Sequence, residues 1–134
     1  LNSGLMIPQY TQAGLLNDMR ILSMPASVDN VTTSANQEDY VAMGYNACRK
    51  ALKVVKKLEY ILAIELMSIY QAQQFIDKNL DRGQGSQAVL NLLKERIPVM
   101  EEDVYLYPLI VTLRSTIHDG EVLEAAQKTV GQLK

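Results

Sequence analysis

Apolar residues recur every seven positions through the middle of the chain, and this repeat predicts one long helix from about Glu38 to Asn79. Two further apolar columns flank the repeat, so the apolar face is wider than the seam of a two-stranded coiled coil. Such a face is typical of a helix that has neighbours on several sides of a bundle. The main column comprises Val41, Cys48, Val55, Leu62, Ile69 and Ile76.

Four shorter helical patterns surround the long one, and each is bounded by proline, glycine or a capping residue. No stretch shows the alternation typical of a strand, so we predict an all-α fold with one helix of about 40 residues and four shorter helices. In order, the shorter ones are a helix over 7–20 with Pro8 in its first turn, a helix capped by Ser86 and ended by Pro98, a helix opened by Pro108 and, after a turn at 118–120, a helix over 121–133.

These elements form a single all-α segment with three parts: a helix and polar loop at 1–35, the long bundle helix at 36–79 and a helical tail at 80–134. A helix of about 40 residues spans about 60 Å, whereas a globule of this chain length is about 35–40 Å across. Since the apolar columns continue along most of the helix, they require a partner. We expect further parts of the same polypeptide, other copies of it, or both, and the start at Leu1 fits a piece of a larger protein.

The polar segment at 24–39 precedes the long helix. Pro25 disfavours helix at the preceding residue, and the β-branched and small polar residues that follow favour extended structure. Ser34 and Gln37 have the spacing of a capping box, which would place Glu38 in a first helical turn where the helix dipole favours negative charge. Helix capping is therefore one interpretation of Gln37 and Glu38, and a functional role is the other.

Composition narrows the function classes. The net charge of −2 provides no basic footprint for nucleic acid, and no apolar run is long enough to span a membrane. The single cysteine, Cys48, excludes an internal disulfide, suits a reducing cytoplasmic compartment and, on the main apolar column, is expected to be buried and inert.

Other charged residues have structural interpretations. The only histidine, His118, has no partners at metal-ligand spacing, so we predict no metal site. The basic stripe between Arg49 and Lys57 is expected to be a solvated face. Glu65 lies in an apolar band, which predicts a structural ion pair or hydrogen bond.

Several motifs together resemble the C-terminal part of the aromatic amino acid lyase family, and of its histidine-specific members in particular. The likeness is strong over roughly the first 77 residues, most specific between Pro25 and Gly44, and only general in the tail. The matching motifs are Asn2–Gly4, Met6–Gln9, Met24–Asp29, Thr33–Asp39, Met43–Gly44, Arg49–Lys50 and Leu62–Leu66.

This resemblance implies an all-α homotetramer with a central bundle of long helices, and elimination of ammonia from L-histidine to give trans-urocanate. The family's electrophile is a methylidene-imidazolone (MIO) formed from an Ala-Ser-Gly triad, which this sequence does not contain. The fragment alone is therefore expected to be inactive. By the resemblance, Glu38 is the catalytic and substrate-binding residue, which faces the imidazole to accept a hydrogen bond or help move a proton, and Gln37 beside it is a weaker substrate-binding candidate.

Two residues depart from the histidine-specific pattern. Tyr40 and Met24 stand where those members usually carry histidine. A first alternative is therefore an MIO lyase or aminomutase that acts on tyrosine or phenylalanine. A second alternative is a helical assembly module without catalysis.

Overall fold

The structure is a computed structural model that describes residues 2–28, 30–77 and 80–133. It confirms the predicted all-α fold, and within the described ranges the only β-type pairing is an isolated bridge between Thr33 and Glu38. None of the helices in these ranges is both long and apolar enough to cross a membrane. The five α-helices are α1 (Met6–Leu22), α2 (Gly44–Ala72), α3 (Gln84–Arg96), α4 (Tyr107–His118) and α5 (Glu121–Val130), and a short 3₁₀ helix, Gln73–Phe75, follows α2.

Helix α2 is shorter than the sequence pattern predicts. It begins at Gly44 rather than near Glu38, because Met43 has a left-handed φ of 50° that a right-handed helix cannot include. At the other end, Ile76 already has extended backbone after the 3₁₀ helix. Asn79, the predicted end of the helix, lies outside the described residues. The 29 residues of α2 therefore span about 44 Å.

The tail helices follow the predicted boundaries with two corrections. Pro108 lies in the first turn of α4, and Gly120 forms the expected turn before α5 with a φ of 79°. Ser86, however, does not cap α3, since that helix begins earlier and its N-cap residue is Gly83. Helix α5 ends at Val130, because Gly131 adopts a φ of 79° that stops it before the predicted end.

The chain divides into two compact units, of which the first comprises residues 1–12 and 59–134. In this unit α3 packs against α4 and α5. The side-chain amide of Gln71 binds the loop after α3: Nε2 donates to the Met100 carbonyl at 2.6 Å, and Oε1 accepts from the Met100 N–H at 3.1 Å. The buried cluster at the centre of the unit comprises Ala63, Met67, Tyr70, Leu93, Ile97 and Leu113.

The second unit comprises residues 13–58, which include the polar segment and the beginning of α2. Two lysines of the basic stripe bind other parts of this unit. The Nζ of Lys57 lies 2.7 Å from Oδ2 of Asp18 on α1, and the ammonium group of Lys50 donates to the carbonyl of Met24. The stripe is therefore only partly the solvated face that the sequence pattern predicts.

We expect Leu93→Ala to lower the free energy of unfolding of the 134-residue chain by about 2–5 kcal/mol, because Leu93 is fully buried and its truncation leaves a cavity. The matched control is Leu123→Ala on α5, where the side chain is 54% exposed and the loss should stay below about 1 kcal/mol. Urea unfolding followed by circular dichroism measures both values. Equal losses would contradict this assignment of the core.

Candidate active-site loop

The polar segment that precedes α2 folds back on itself as a short hairpin. The N–H of Thr33 donates to the Glu38 carbonyl at 3.0 Å, and the N–H of Glu38 donates to the Thr33 carbonyl at 3.2 Å. Between them, the N–H of Gln37 donates to the carbonyl of Ser34 at 3.2 Å. The predicted capping box is therefore wrong: these residues close a turn, and Glu38 lies before α2 rather than in its first turn.

Two side chains hold the hairpin from within. The hydroxyl of Thr32 donates to Oδ1 of Asn36 at 2.8 Å, across the turn. At the base, Oδ1 of Asn30 accepts from the N–H of Val41 at 3.2 Å. Among the described residues, the buried Nδ2 of Asn30 has no hydrogen-bond partner, so this side chain closes the base at some cost.

The turn itself is strained. Ser34, Ala35 and Asn36 have φ values of 55°, 55° and 66°, three consecutive left-handed residues of which none is glycine. Such residues cost about 1–2 kcal/mol each. The five hydrogen bonds described above contribute about 1 kcal/mol each, so stabilisation and strain are nearly balanced. Loss of one bond should therefore change the population of this turn.

The hairpin presents Glu38 to solvent. The Glu38 side chain is exposed, and among the described residues it has no hydrogen-bond or ion-pair partner. Gln37 next to it is exposed as well. Since residues directly opposite in an antiparallel pair share a face, the side chains of Glu38 and Thr33 belong to the same face of the hairpin. An ionised carboxylate placed in this way is an acceptor for a donor that comes from outside the loop.

The other residues that the sequence singled out do not form a second site. Cys48 is exposed, which corrects the prediction of a buried thiol. Glu65 is exposed, and neither the predicted ion pair nor a hydrogen bond of its side chain is found in the described ranges. No group of three or more His, Cys, Asp or Glu residues in those ranges could hold a metal ion.

An ionic cluster that the sequence pattern does not reveal links α2 to α4 in the first unit. Arg114 Nε donates to Oε2 of Glu59 at 2.7 Å, and His118 Nδ1 lies 2.8 Å from Oε1 of the same carboxylate. The Glu59 side chain is only 13% exposed. The hydrogen bond with His118, and then that with Arg114, lower the pKa of Glu59 below its ordinary value of 4.5. The partners are 55 and 59 residues from Glu59, beyond the reach of helical spacing.

Comparison with known proteins identifies the class of this chain. The sequence model of the aromatic amino acid lyase family matches residues 1–95, and the chain belongs to that family.

Its relatives include histidine ammonia-lyases. It is 42% identical to the histidine ammonia-lyase of Deinococcus radiodurans over 95% of this chain and 24% of the relative. It is 43% identical to that of Caldanaerobacter subterraneus over 96% of this chain and 25% of the relative. The crystal structure of histidine ammonia-lyase from Trypanosoma cruzi superposes with a TM-score of 0.88 at 35% identity, over 96% of this chain and 25% of that chain. The chain thus spans about a quarter of the length of the relatives it matches.

The cluster around Glu59 predicts a pH dependence of stability. A carboxyl group whose pKa is lowered on folding stabilises the fold above its unfolded pKa, and this contribution is lost as the pH falls through the lower, folded value. We therefore expect Glu59→Gln to lower the free energy of unfolding at pH 7 and the difference from wild type to shrink below about pH 4.5. Urea unfolding between pH 7 and pH 3 measures this difference.

Glu65→Gln on the same helix is the matched control, because Glu65 is exposed and has no partner in the described ranges. Its difference from wild type should be small at every pH. A difference for Glu59→Gln that stays constant from pH 7 to pH 3 would contradict the assignment.

Proposed function

We propose that this chain is the C-terminal part of an ammonia-lyase that eliminates ammonia from L-histidine to give trans-urocanate, a step of histidine catabolism. Membership of the aromatic amino acid lyase family supports this proposal, as do relatives named histidine ammonia-lyase at about 40% identity. The observation that carries it is the hairpin, which holds Glu38 outside the helix with its carboxylate exposed.

Glu38 is the proposed catalytic and substrate-binding residue. Its carboxylate accepts a hydrogen bond from the imidazole of the substrate, and the same oxygen can hold a proton during the elimination. Capping was the competing interpretation, and it loses its basis because no helix begins at Glu38. Gln37 has both a donor and an acceptor in its side chain and is the proposed secondary contact to the substrate.

The reaction divides between this chain and the rest of the protein. Elimination breaks the Cα–N bond and a Cβ–H bond of the amino acid, forms the double bond of the product and releases ammonia. MIO, when present, supplies the electrophile that binds the substrate amine. No residue here can form it, since the sequence contains no Ala-Ser-Gly. The proposed role of this chain is to bind and orient the side chain of the substrate and, through Glu38, to hold a proton during the elimination.

The partners we propose are the remainder of the polypeptide and further copies of it in a homotetramer, with an amino acid as substrate. Exposed apolar side chains along α2, among them Leu52, Val55 and Leu58, support this because apolar surface on that scale requires a covering partner. We propose a cytoplasmic location because the sequence has a single cysteine.

A second candidate is an MIO lyase or aminomutase that acts on tyrosine or phenylalanine. Tyr40, which is 70% exposed and lies two residues after Glu38, favours this alternative because histidine-specific members usually carry histidine there. Incubation of the complete protein with each amino acid separates the two. Urocanate from histidine alone supports the first candidate, whereas coumarate or cinnamate supports the second.

Glu38→Gln in the complete protein should reduce turnover of histidine by at least about a hundredfold, because an amide oxygen is a weaker acceptor than a carboxylate and cannot hold the proton. The thermal unfolding temperature should change little, since the Glu38 side chain is exposed. The rise in ultraviolet absorbance of urocanate measures the turnover.

The matched control is Asp39→Asn, which removes the neighbouring exposed carboxylate and should leave turnover within about threefold of wild type. Similar losses from the two variants would show that the charge of the loop matters rather than Glu38 itself. Unchanged turnover in Glu38→Gln would remove Glu38 from the site.

The 134-residue chain purified alone should release no ammonia from histidine, tyrosine or phenylalanine, because its sequence lacks the Ala-Ser-Gly triad. A glutamate dehydrogenase-coupled ammonia assay measures this, with the complete protein as the positive control. Ammonia release by the purified chain, proportional to its concentration, would contradict the proposed division of the reaction.

A further inference from the structure

We propose that Thr32 is a positioning residue for Glu38, and that its hydrogen bond to Asn36 fixes the register of the hairpin; this inference rests on the proposed function of Glu38. The Thr32 hydroxyl lies 2.8 Å from Oδ1 of Asn36, where it donates to the amide oxygen. It is the only hydrogen bond between two side chains across this turn in the described part of the chain.

The register of the hairpin decides where the Glu38 carboxylate lies. Thr33 and Glu38 form the only backbone-paired positions of this hairpin in the described residues, so no longer ladder holds the two arms in register, and outside the turn the only other bond between them is that from Val41 to Asn30 at the base. Because side chains alternate between faces along an extended arm, a slip of one residue would move Glu38 to the opposite face. The hydrogen bond between Thr32 and Asn36 resists that slip, because it spans the turn next to the pair of Thr33 and Glu38.

The turn depends on this bond because its backbone is unfavourable. Ser34 and Ala35 have left-handed φ values that residues with a Cβ rarely adopt, and such conformations persist only where surrounding contacts hold them. Asn36 is better suited to this region than most residues, and its side chain is the one that Thr32 binds. Hairpin loops with weakly specified pairing are the ones that shift register.

The test compares two substitutions at position 32 in the complete protein. Thr32→Val keeps the shape of the side chain but removes the donor, and should reduce kcat for histidine about three- to tenfold. Thr32→Ser keeps the hydroxyl and should stay within about twofold of wild type. Thr129→Val on α5 is the control for the same substitution at an exposed position, and should leave kcat unchanged.

A double-mutant cycle separates positioning from a general loss of structure. If Thr32 acts through Glu38, Thr32→Val should cause no further loss of kcat in a Glu38→Gln background, because the positioned carboxylate is already absent. An equal fractional loss in both backgrounds would overturn the inference, since Thr32 would then act independently of Glu38.

The outcomes distinguish this inference from the function on which it rests. A large loss in Glu38→Gln with no loss in Thr32→Val would overturn the role of Thr32 and leave the proposed function standing. No loss in Glu38→Gln would overturn both.

If Thr32→Val does not fold, Asn36→Gly provides the test, because glycine tolerates the left-handed turn but its missing side chain cannot accept the hydrogen bond from Thr32. It should reduce kcat about three- to tenfold, and wild-type kcat in this variant would overturn the inference.

Discussion

The reciprocal backbone hydrogen bonds between Thr33 and Glu38 are the interaction on which the candidate site depends. They close a four-residue turn in which Ser34 to Asn36 adopt left-handed backbone. They also consume the N–H of Glu38, which in the predicted helix would have bonded to the carbonyl of Ser34 four residues earlier. The position of the carboxylate is thus decided by pairing with the preceding strand-like arm and not by the helix that follows. Helix α2 can begin only after Met43, where the backbone leaves its last left-handed residue.

Prolines and glycines made most helix boundaries predictable. Pro8, Pro108 and Gly120 act through their own backbone geometry, which a sequence shows directly. The start of α2 was not predictable in this way. Ser34 and Gln37 have the spacing of a cap, yet hairpin bonds replace the cap. The hairpin bonds between residues 30 and 41 and the left-handed Met43 decide the outcome, and the spacing of a cap shows neither of them.

Contacts that helical spacing does not show also explain which parts of the site could be predicted. The motif around Glu38 and Gln37 indicates a role in the site because it resembles a known family, whereas the spacing alone supports capping equally well. The bond between Thr32 and Asn36 required knowledge of the turn. The same limitation applies to Glu59, whose partners lie on α4, and the period of the helix indicates only neighbours three or four residues away.

The apolar columns of α2 connect the fold to the proposed assembly. In the chain by itself, Val55, Leu62 and Ile69 of the main column are 38–51% exposed, although this column was the strongest sign of burial in the sequence. If contacts within this chain alone were meant to bury the helix, the side chains of its main apolar column would not remain half exposed. We therefore infer that the column was selected for packing against surfaces outside these 134 residues, which fits a chain that spans about a quarter of its relatives.

The division of the proposed site between distant parts of the polypeptide explains why hydrogen bonds within the loop itself should hold it in place. In the proposed enzyme the electrophile and the Glu38 carboxylate come from distant parts of the sequence, so the catalytic geometry requires each part to be ordered before they meet. A displacement of about 1 Å in a catalytic group can cost about a hundredfold in rate. A hairpin closed by Asn30 at its base and by Thr32 across its turn provides that order locally. The strained left-handed backbone of the turn is the cost of that arrangement. An unstrained turn with another register would place the Glu38 carboxylate on the opposite face of the hairpin, away from the proposed site.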